Sequence, residues 1–224
     1  MNFTIIIGVA ITQLRQQTAA PIIRFSEAIQ KICMIVVSWA MMLVPYAVFG
    51  LMAALLSKIG IEIFFGLGYY MLVVIIGLIF LIIFYMLLVF IITQKNPFTF
   101  LSLIREPQLL AFSTASSAAV MPLSMKTANE KLGVSSNISD FVIPVGATIN
   151  MDGTALYESV AVIFIGQAYG LDISIAQQMI IFMTASVAAI GAAAIPGAGL
   201  VTMSIVLSTV GFPLEGIGLI LAVD

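Results

Sequence analysis

The decapeptide Val145-Gly146-Ala147-Thr148-Ile149-Asn150-Met151-Asp152-Gly153-Thr154 decides how this sequence is read: it is polar, bracketed by glycine and set between long apolar segments. In a regular helix Asn150 and Asp152 would point about 200° apart, because only residues three and four apart share a face. A helix that opens here releases backbone carbonyls and lets the Asn150 amide and the Asp152 carboxylate converge on one point. Discontinuous membrane helices hold cations in this way. The plainer reading, an interior Asp satisfied by a neighbouring helix, stays open on these ten residues alone. An ionisable group at the bilayer centre costs roughly 2.5–3.5 kcal/mol on insertion scales, which favours a functional reason for its presence.

Composition places the decapeptide in a membrane. Of 224 residues 62% are hydrophobic and 8% charged, with a mean hydropathy of +1.22, whereas about a quarter of the residues of a soluble domain are charged. The eight Lys and Arg are scattered singly and form no basic stripe, so nucleic-acid binding is set aside. There is no histidine, which removes a Ser-His-Asp triad and any His-based metal site. Cys33 stands alone, excludes an internal disulfide framework and reads as a small packed hydrophobe. Residues 1–11 are apolar but lack a basic n-region and a small-residue cleavage site before Arg15. They read as the end of a membrane helix rather than a signal peptide.

Charges divide the chain into polytopic spans. Lys31 and Lys58 bracket 26 uncharged residues, and Glu62 and Lys95 bracket 32 more. Both runs exceed the roughly 20 residues needed to cross a bilayer, and Tyr69 and Tyr70 are placed as an interfacial belt. Before them, Gln13 to Gln30 carries Arg15, Arg24 and Glu27 around Pro21 and suits an interfacial connection. From Phe112 to Met125 the sequence turns to Ser, Thr and Ala with Pro122 in its middle, too polar for an ordinary lipid-facing span. A re-entrant hairpin of two half-helices with its tip at Ser113 to Pro122 fits, and a plain interfacial helix is the alternative. Ser135 to Asp140 offers N-cap chemistry for the helix that runs into the break.

After the break, Ala155 to Tyr169 completes that helix. Asp172 and Glu215 then bracket 42 uncharged residues divided at Gly191-Ala192-Ala193-Ala194-Ile195-Pro196-Gly197-Ala198-Gly199. The two arms are short for independent spans, so a second helical hairpin with a Gly/Pro tip accounts for them better than two membrane segments and a loop. If each hairpin returns to the side it left, Arg15, Arg24, Lys31, Lys95, Arg105, Lys126 and Lys131 share one side and only Lys58 lies on the other. The positive-inside rule makes the larger group cytoplasmic. The first hairpin then opens from the cytoplasm and the second from outside, with the broken helix between their tips, which is the sequence hint of an inverted repeat. The fold expected is an all-α membrane protein with two re-entrant hairpins and a broken transmembrane helix.

These residues resemble the dicarboxylate/amino acid:cation symporters, the family of glutamate and aspartate transporters. The resemblance rests on Ser116-Ser117-Ala118-Ala119-Val120-Met121-Pro122, on Gly146 to Thr154 with its Asn-Met-Asp-Gly-Thr element, and on Ile195-Pro196-Gly197-Ala198-Gly199, in family order. It implies that Met1 to Leu14 ends the family's fourth helix, 32–57 is the fifth and 63–94 the sixth, followed by hairpin one, helix seven and hairpin two. The chain then corresponds to part of a family chain, with three helices before Met1 and the eighth beginning at Asp224. Residues 1–60 would belong to a trimerising scaffold and 61–224 to a transport domain.

The resemblance also carries residue roles. The backbone around Ser116 and Ser117, and that of Ile195, Pro196, Gly197 and Gly199, would cradle a substrate carboxylate, and the Thr154 hydroxyl would meet a distal one. Gly146 and Asn150 backbone oxygens would serve one sodium site. Thr148, Met151, Ala189, Ile190 and Ala192 would form a second, and Asn150 with Asp152 a third; oxygen-only ligation suits a hard cation. Departures from the family pattern are Ala118 and Ala192, where Ser and Thr are the commoner residues, and Ala115, where some prokaryotic members place Arg. Glu158 lies four residues after Thr154 on the same helix face and is the candidate proton carrier. Proton-cotransporting members carry Glu at the matching place after Thr-Ala-Leu-Tyr, while a glutamate reaching an interfacial or buried partner is the plainer alternative.

The activity implied is secondary active, elevator-type symport of an acidic amino acid or C4-dicarboxylate with sodium and a proton, in a homotrimer in the inner (plasma) membrane. The alternative is a non-transporting membrane fragment of such a protein, lacking a complete substrate site. An intramembrane enzyme is disfavoured, because no His or Lys is placed as a base beside Ser116 or Ser117.

Overall fold

A computed structural model describes residues 7, 8, 10–59, 62–221 and 223. Every regular element among them is helical. From Gln16 the α-helices follow in order: α1 (Gln16–Ile59), α2 (Glu62–Thr93), α3 (Pro97–Leu103), α4 (Arg105–Thr114), α5 (Ser117–Glu130), α6 (Ser136–Ile149), α7 (Asp152–Ala168), α8 (Ile175–Ile190) and α9 (Ala198–Val210). A 3₁₀ turn, Leu214–Gly216, then leads into α10, Ile217–Ile220. The chain separates into two compact units, Met1–Ala54 and Leu55–Asp224.

In the first unit the sequence reading needs correction. Of the connection expected from Gln13 to Gln30, the part from Gln16 onward is instead part of α1, which runs without interruption through Pro21 and Pro45. Pro21 removes one backbone donor near the start of α1, and the surrounding Ala, Ile, Arg, Glu and Gln are compatible with helix. Arg24 and Glu27 were therefore not enough to break the element.

In the second unit, α2 matches the span expected from charge spacing, and its Phe65–Thr93 portion is long and apolar enough to cross a membrane. Phe65, Tyr69, Phe80 and Ile92 stand exposed along it, a surface that water disfavours. Tyr70 corrects a second expectation. It is buried and stacks on Phe164 with ring centroids 5.3 Å apart rather than facing an interface. One residue of helical rotation separates it from exposed Tyr69, and that places it in the seam with α7.

The core of this unit is built by α7, α8 and α9. Ala161, Val162 and Ile165 pack with Ile181, Ala185, Met203, Val206 and Leu207, and Tyr70 and Phe212 close the cluster. Small residues let these helices approach closely: a Cβ on Gly216 would lie 2.3 Å from Ile165 Cγ2. Two helix–turn–helix units flank the break. In the first, α4 and α5 pack together and are joined at Ala115-Ser116, with Ala115 left-handed at φ 47°. Pro122 lies inside α5 without ending it. In the second, α8 and α9 are joined through Gly191 to Gly197. A capping box of Ser174 and Gln177 starts α8, while Ser135 caps α6 by position, with no side-chain bond. Ser139, buried, donates to Asn129 Oδ1 at 2.5 Å and ties α6 to α5.

Candidate substrate and cation site

The break is narrower than the decapeptide suggests. α6 ends at Ile149, α7 begins at Asp152, and only Asn150 (φ −89°, ψ 71°) and Met151 (φ −104°, ψ 44°) leave helical geometry. The Asn150 amide still bonds Gly146 O at 2.9 Å and the Ala155 amide bonds Met151 O at 3.0 Å. Between them, no backbone bond joins the carbonyls of residues 147–150 to the amides of residues 151–154. Two residues out of register thus release a cluster of carbonyl acceptors and of amide donors on opposite sides of one point.

The donors face a cavity of about 620 Å³. Ala115 and Ser117 from the first tip line it, as do Met151, Gly153 and Thr154 from the break and Ala192, Ile195, Gly197, Ala198 and Gly199 from the second tip. Three helices, α5, α7 and α9, therefore begin at its wall. Among the described residues, the amides of Ser117, Gly153, Thr154 and Gly199 donate to no backbone carbonyl. No charged side chain lines the space among the described residues, so helix N-termini contribute to its polarity beside the side chains of Ser117, Thr154 and Tyr157, and such termini favour an anionic group.

Most residues expected at a substrate site meet here, and the exceptions are specific. Ser117, Thr154, Ile195, Gly197 and Gly199 line the cavity, whereas Ser116 and Pro196 do not. Ser116 is buried in the contact between the two tips, its hydroxyl donating to Ala194 O at 2.9 Å. Gly197 is left-handed at φ 73°, a conformation that glycine adopts without strain. Tyr157, which the sequence reading did not single out, lines the cavity and packs on Gly199. Its place one turn after Thr154 was the signal available.

The residues expected to ligate cations lie around the break and at the end of α8. Met151 and Ala192 line the cavity, and Gly146 borders a neighbouring space of about 360 Å³ that shares Ala111 and Ser117 with it. Ala189 and Ala192 are buried and Ile190 is exposed at the C-terminal end of α8, which α6 contacts. The Thr148 hydroxyl turns back to Val145 O at 3.0 Å, leaving its backbone oxygen toward the break. Asp152 is exposed and accepts a hydrogen bond from the Tyr85 hydroxyl of α2; Asn150 is exposed too. Tyr85 was missed, although a tyrosine deep in an aliphatic run is a recognisable signal that a polar partner is needed.

Glu158 is fully buried. The Thr202 hydroxyl of α9 donates to its Oε1, and Oε2 has no hydrogen-bond partner among the described residues. The expectation that it shares Thr154's outlook on the substrate site is met only by helical phase. Thr154 lines the cavity, while Glu158, one turn later, faces the second arm of the second hairpin. Thr202 carried no distinguishing mark among the seven Ser and Thr of residues 173–214.

The model of the sodium:dicarboxylate symporter family matches residues 1–224. Excitatory amino acid transporter 3 of Mus musculus is 44% identical over 99% of this chain and 43% of its own length. An excitatory amino acid transporter of Caenorhabditis elegans is 41% identical over 99% of this chain and 44% of its own. Neutral amino acid transporter B(0) of Mus musculus is 39% identical, over 99% and 40%. The chain thus spans less than half the length of these relatives, all of them named as transporters and none as an enzyme. On a family match along its whole length, the chain belongs to the sodium:dicarboxylate symporter family.

Proposed function

We propose that the complete protein is a secondary active symporter of an acidic amino acid or C4-dicarboxylate, coupled to sodium and a proton, in the inner (plasma) membrane. The observation that carries this reading is the convergence of the first turns of α5, α7 and α9 on one cavity without charged side chains among the described residues. Free amides at Ser117, Gly153, Thr154 and Gly199 supply fixed donors for a carboxylate. The Thr154 hydroxyl supplies a polar group at the same wall. The family's description as sodium:dicarboxylate symporters supports the acidic class and the coupling ion.

The break fits a hard cation. The carbonyls freed at residues 147–150 are oxygen donors without backbone partners, and the carboxylate of Asp152 stands two residues from Asn150. Gly146, Asn150 and Asp152, together with Thr148, Met151, Ala189, Ile190 and Ala192, would hold sodium, which supplies the driving gradient and neutralises the anionic substrate. A cation at the carbonyl side of the break and a carboxylate at the amide side stabilise each other across one peptide segment. This is a physical reason for cotransport. Residues 1–60 would serve as the static trimeric scaffold and 61–224 as the moving part, with the tip Gly191 to Gly199 as outer gate.

The test is uptake of labelled L-aspartate and succinate by proteoliposomes holding the complete protein, with and without an inward sodium gradient. Uptake that requires sodium outside is expected. Equal uptake with potassium replacing sodium would overturn the coupling, and no uptake of either probe would overturn the substrate class.

A further inference from the structure

The two hairpin tips are fastened to each other behind the cavity wall. Ser116 donates its hydroxyl to Ala194 O at 2.9 Å, and the Ala118 amide donates to the same oxygen at 3.1 Å. A carbonyl accepts two hydrogen bonds, so both positions on Ala194 are filled from the first hairpin. The Ser116 hydroxyl also accepts from the Ala119 amide at 3.3 Å as the N-cap of α5. Ser116 and Ala194 are both buried, in contrast to exposed Ala193 and Gly197 beside them. Ala194 is the middle residue of the linker Gly191 to Gly197, and the residues that follow it, Ile195, Gly197 and Gly199, form the cavity wall.

We propose that Ser116 is a positioning residue: with the Ala118 amide it clamps the Ala194 carbonyl, and this latch holds the second tip against the first before any ligand arrives. The carboxylate-binding backbone at Ile195 to Gly199 is thereby fixed in place, at lower ordering cost to the ligand. Movement of the second tip away from the first breaks both bonds together, so the latch sets the resting balance between closed and open gate. The importance of the wall for transport rests on the function proposed above, whereas the latch itself needs no substrate.

Ser116→Ala removes the hydroxyl and keeps the backbone, and the Ala118 amide still satisfies Ala194. Loss of one such bond shifts a local opening equilibrium by roughly two- to tenfold. The measurement is amide hydrogen exchange in the complete protein in nanodiscs, without sodium or substrate. Exchange of peptides covering 192–200 is expected to be faster by that factor in Ser116→Ala and restored in Ser116→Thr, with the melting temperature of both variants close to wild type. Unchanged exchange in Ser116→Ala, or no restoration by Thr, overturns the latch. Faster exchange spread along α5 with a lowered melting temperature assigns the effect to the lost helix cap and overturns it too. L-Aspartate and succinate uptake by the wild type, measured in parallel, separates the two readings: absent uptake of both with the expected exchange pattern removes the proposed function and leaves the latch standing.

Discussion

Gly199 presses on Tyr157: a Cβ added there would lie 2.9 Å from the Tyr157 ring at Cε1 and 3.5 Å from Thr154 Cγ2. Real side chains do not tolerate the first distance, so a larger residue must displace the Tyr157 ring or move α9 from α7. Gly199→Ala is therefore expected to hold the cavity wall open and to raise the apparent KM for substrate roughly tenfold, corresponding to about 1–3 kcal/mol of overpacking. Substrate titration of uptake in proteoliposomes measures it. Gly197→Ala reaches a similar outcome by another cause, because its surroundings are open but its φ of 73° strains an L-residue by about 1–2 kcal/mol.

The same tip supplies a direct reading of closure. A cysteine at Ala198, in a background with exposed Cys33 replaced by Ser, lies on the cavity wall. Its labelling by a polar maleimide should fall when sodium and substrate are added together. Labelling that ignores both additions would remove the gate from this hairpin.

Asp152 and Asp140 make a matched pair. Both are exposed carboxylates on the broken helix, but only Asp152 adjoins the freed carbonyls, and only its carboxylate is held by a tyrosine hydroxyl. Asp152→Asn should raise the sodium concentration for half-maximal substrate binding by an order of magnitude or more, corresponding to at least ~1.4 kcal/mol, and Asp140→Asn should leave it near wild type. Substrate binding titrated against sodium decides, and equal effects would withdraw Asp152 from the cation site.

Much of this arrangement was legible in the sequence because it depends on local rules. The break at Asn150 and Met151, the turn at Ala115-Ser116 and the tip at Gly191 to Gly197 each follow from residues that interrupt or tolerate interruption of a helix, and all three were found close to where they occur. Partnerships between elements were not legible. Tyr85 meets Asp152 across 67 positions, Thr202 meets Glu158 across 44 and Ser116 meets Ala194 across 78. Periodicity places a residue on a face, but helix rotation and register decide what that face meets, as Tyr70 and its exposed neighbour Tyr69 demonstrate. Charge was an uneven guide: Glu62 and Lys95 bounded α2, whereas Arg15, Arg24 and Glu27 suggested a connection although all but Arg15 lie within α1.

Packing in the second unit predicts a stability defect separate from transport. Gly216 lets the turn after α9 lie on Ile165, whose Cγ2 would be 2.3 Å from an added Cβ. Ile165 is fully buried among Met203, Val206 and Leu207 and has no room to yield. Gly216→Ala should destabilise by about 1–3 kcal/mol, seen as a lower melting temperature in detergent, with little change in KM in the fraction that remains folded.

Glu158 supports the last prediction. Its carboxyl is sealed between α7 and α9, Thr202 satisfies one oxygen and the other has no partner among the described residues. α8, α9 and α10 bring no ionisable residue to it, and the acidic and phenolic groups of α2 are Glu62, Tyr69, Tyr70 and Tyr85, the last bonded to Asp152. A carboxylate without a positive partner is costly in such a place, so this packing suits the neutral acid, and release of the proton requires water to reach it as α9 moves. On the function proposed above, proton binding would belong to the substrate-loaded closed form and proton loss to the open one. Uptake that needs the proton should fall as pH rises in the wild type. Glu158→Gln keeps shape and neutrality, can accept from Thr202 through its amide oxygen, and cannot titrate. It should preserve substrate exchange at all pH values, abolish the pH dependence, and impair the net cycle, which has to return with the proton released. Exchange and net uptake in proteoliposomes across a pH series measure both limbs, and a Gln variant that kept the wild-type pH profile in each would show that the proton travels elsewhere.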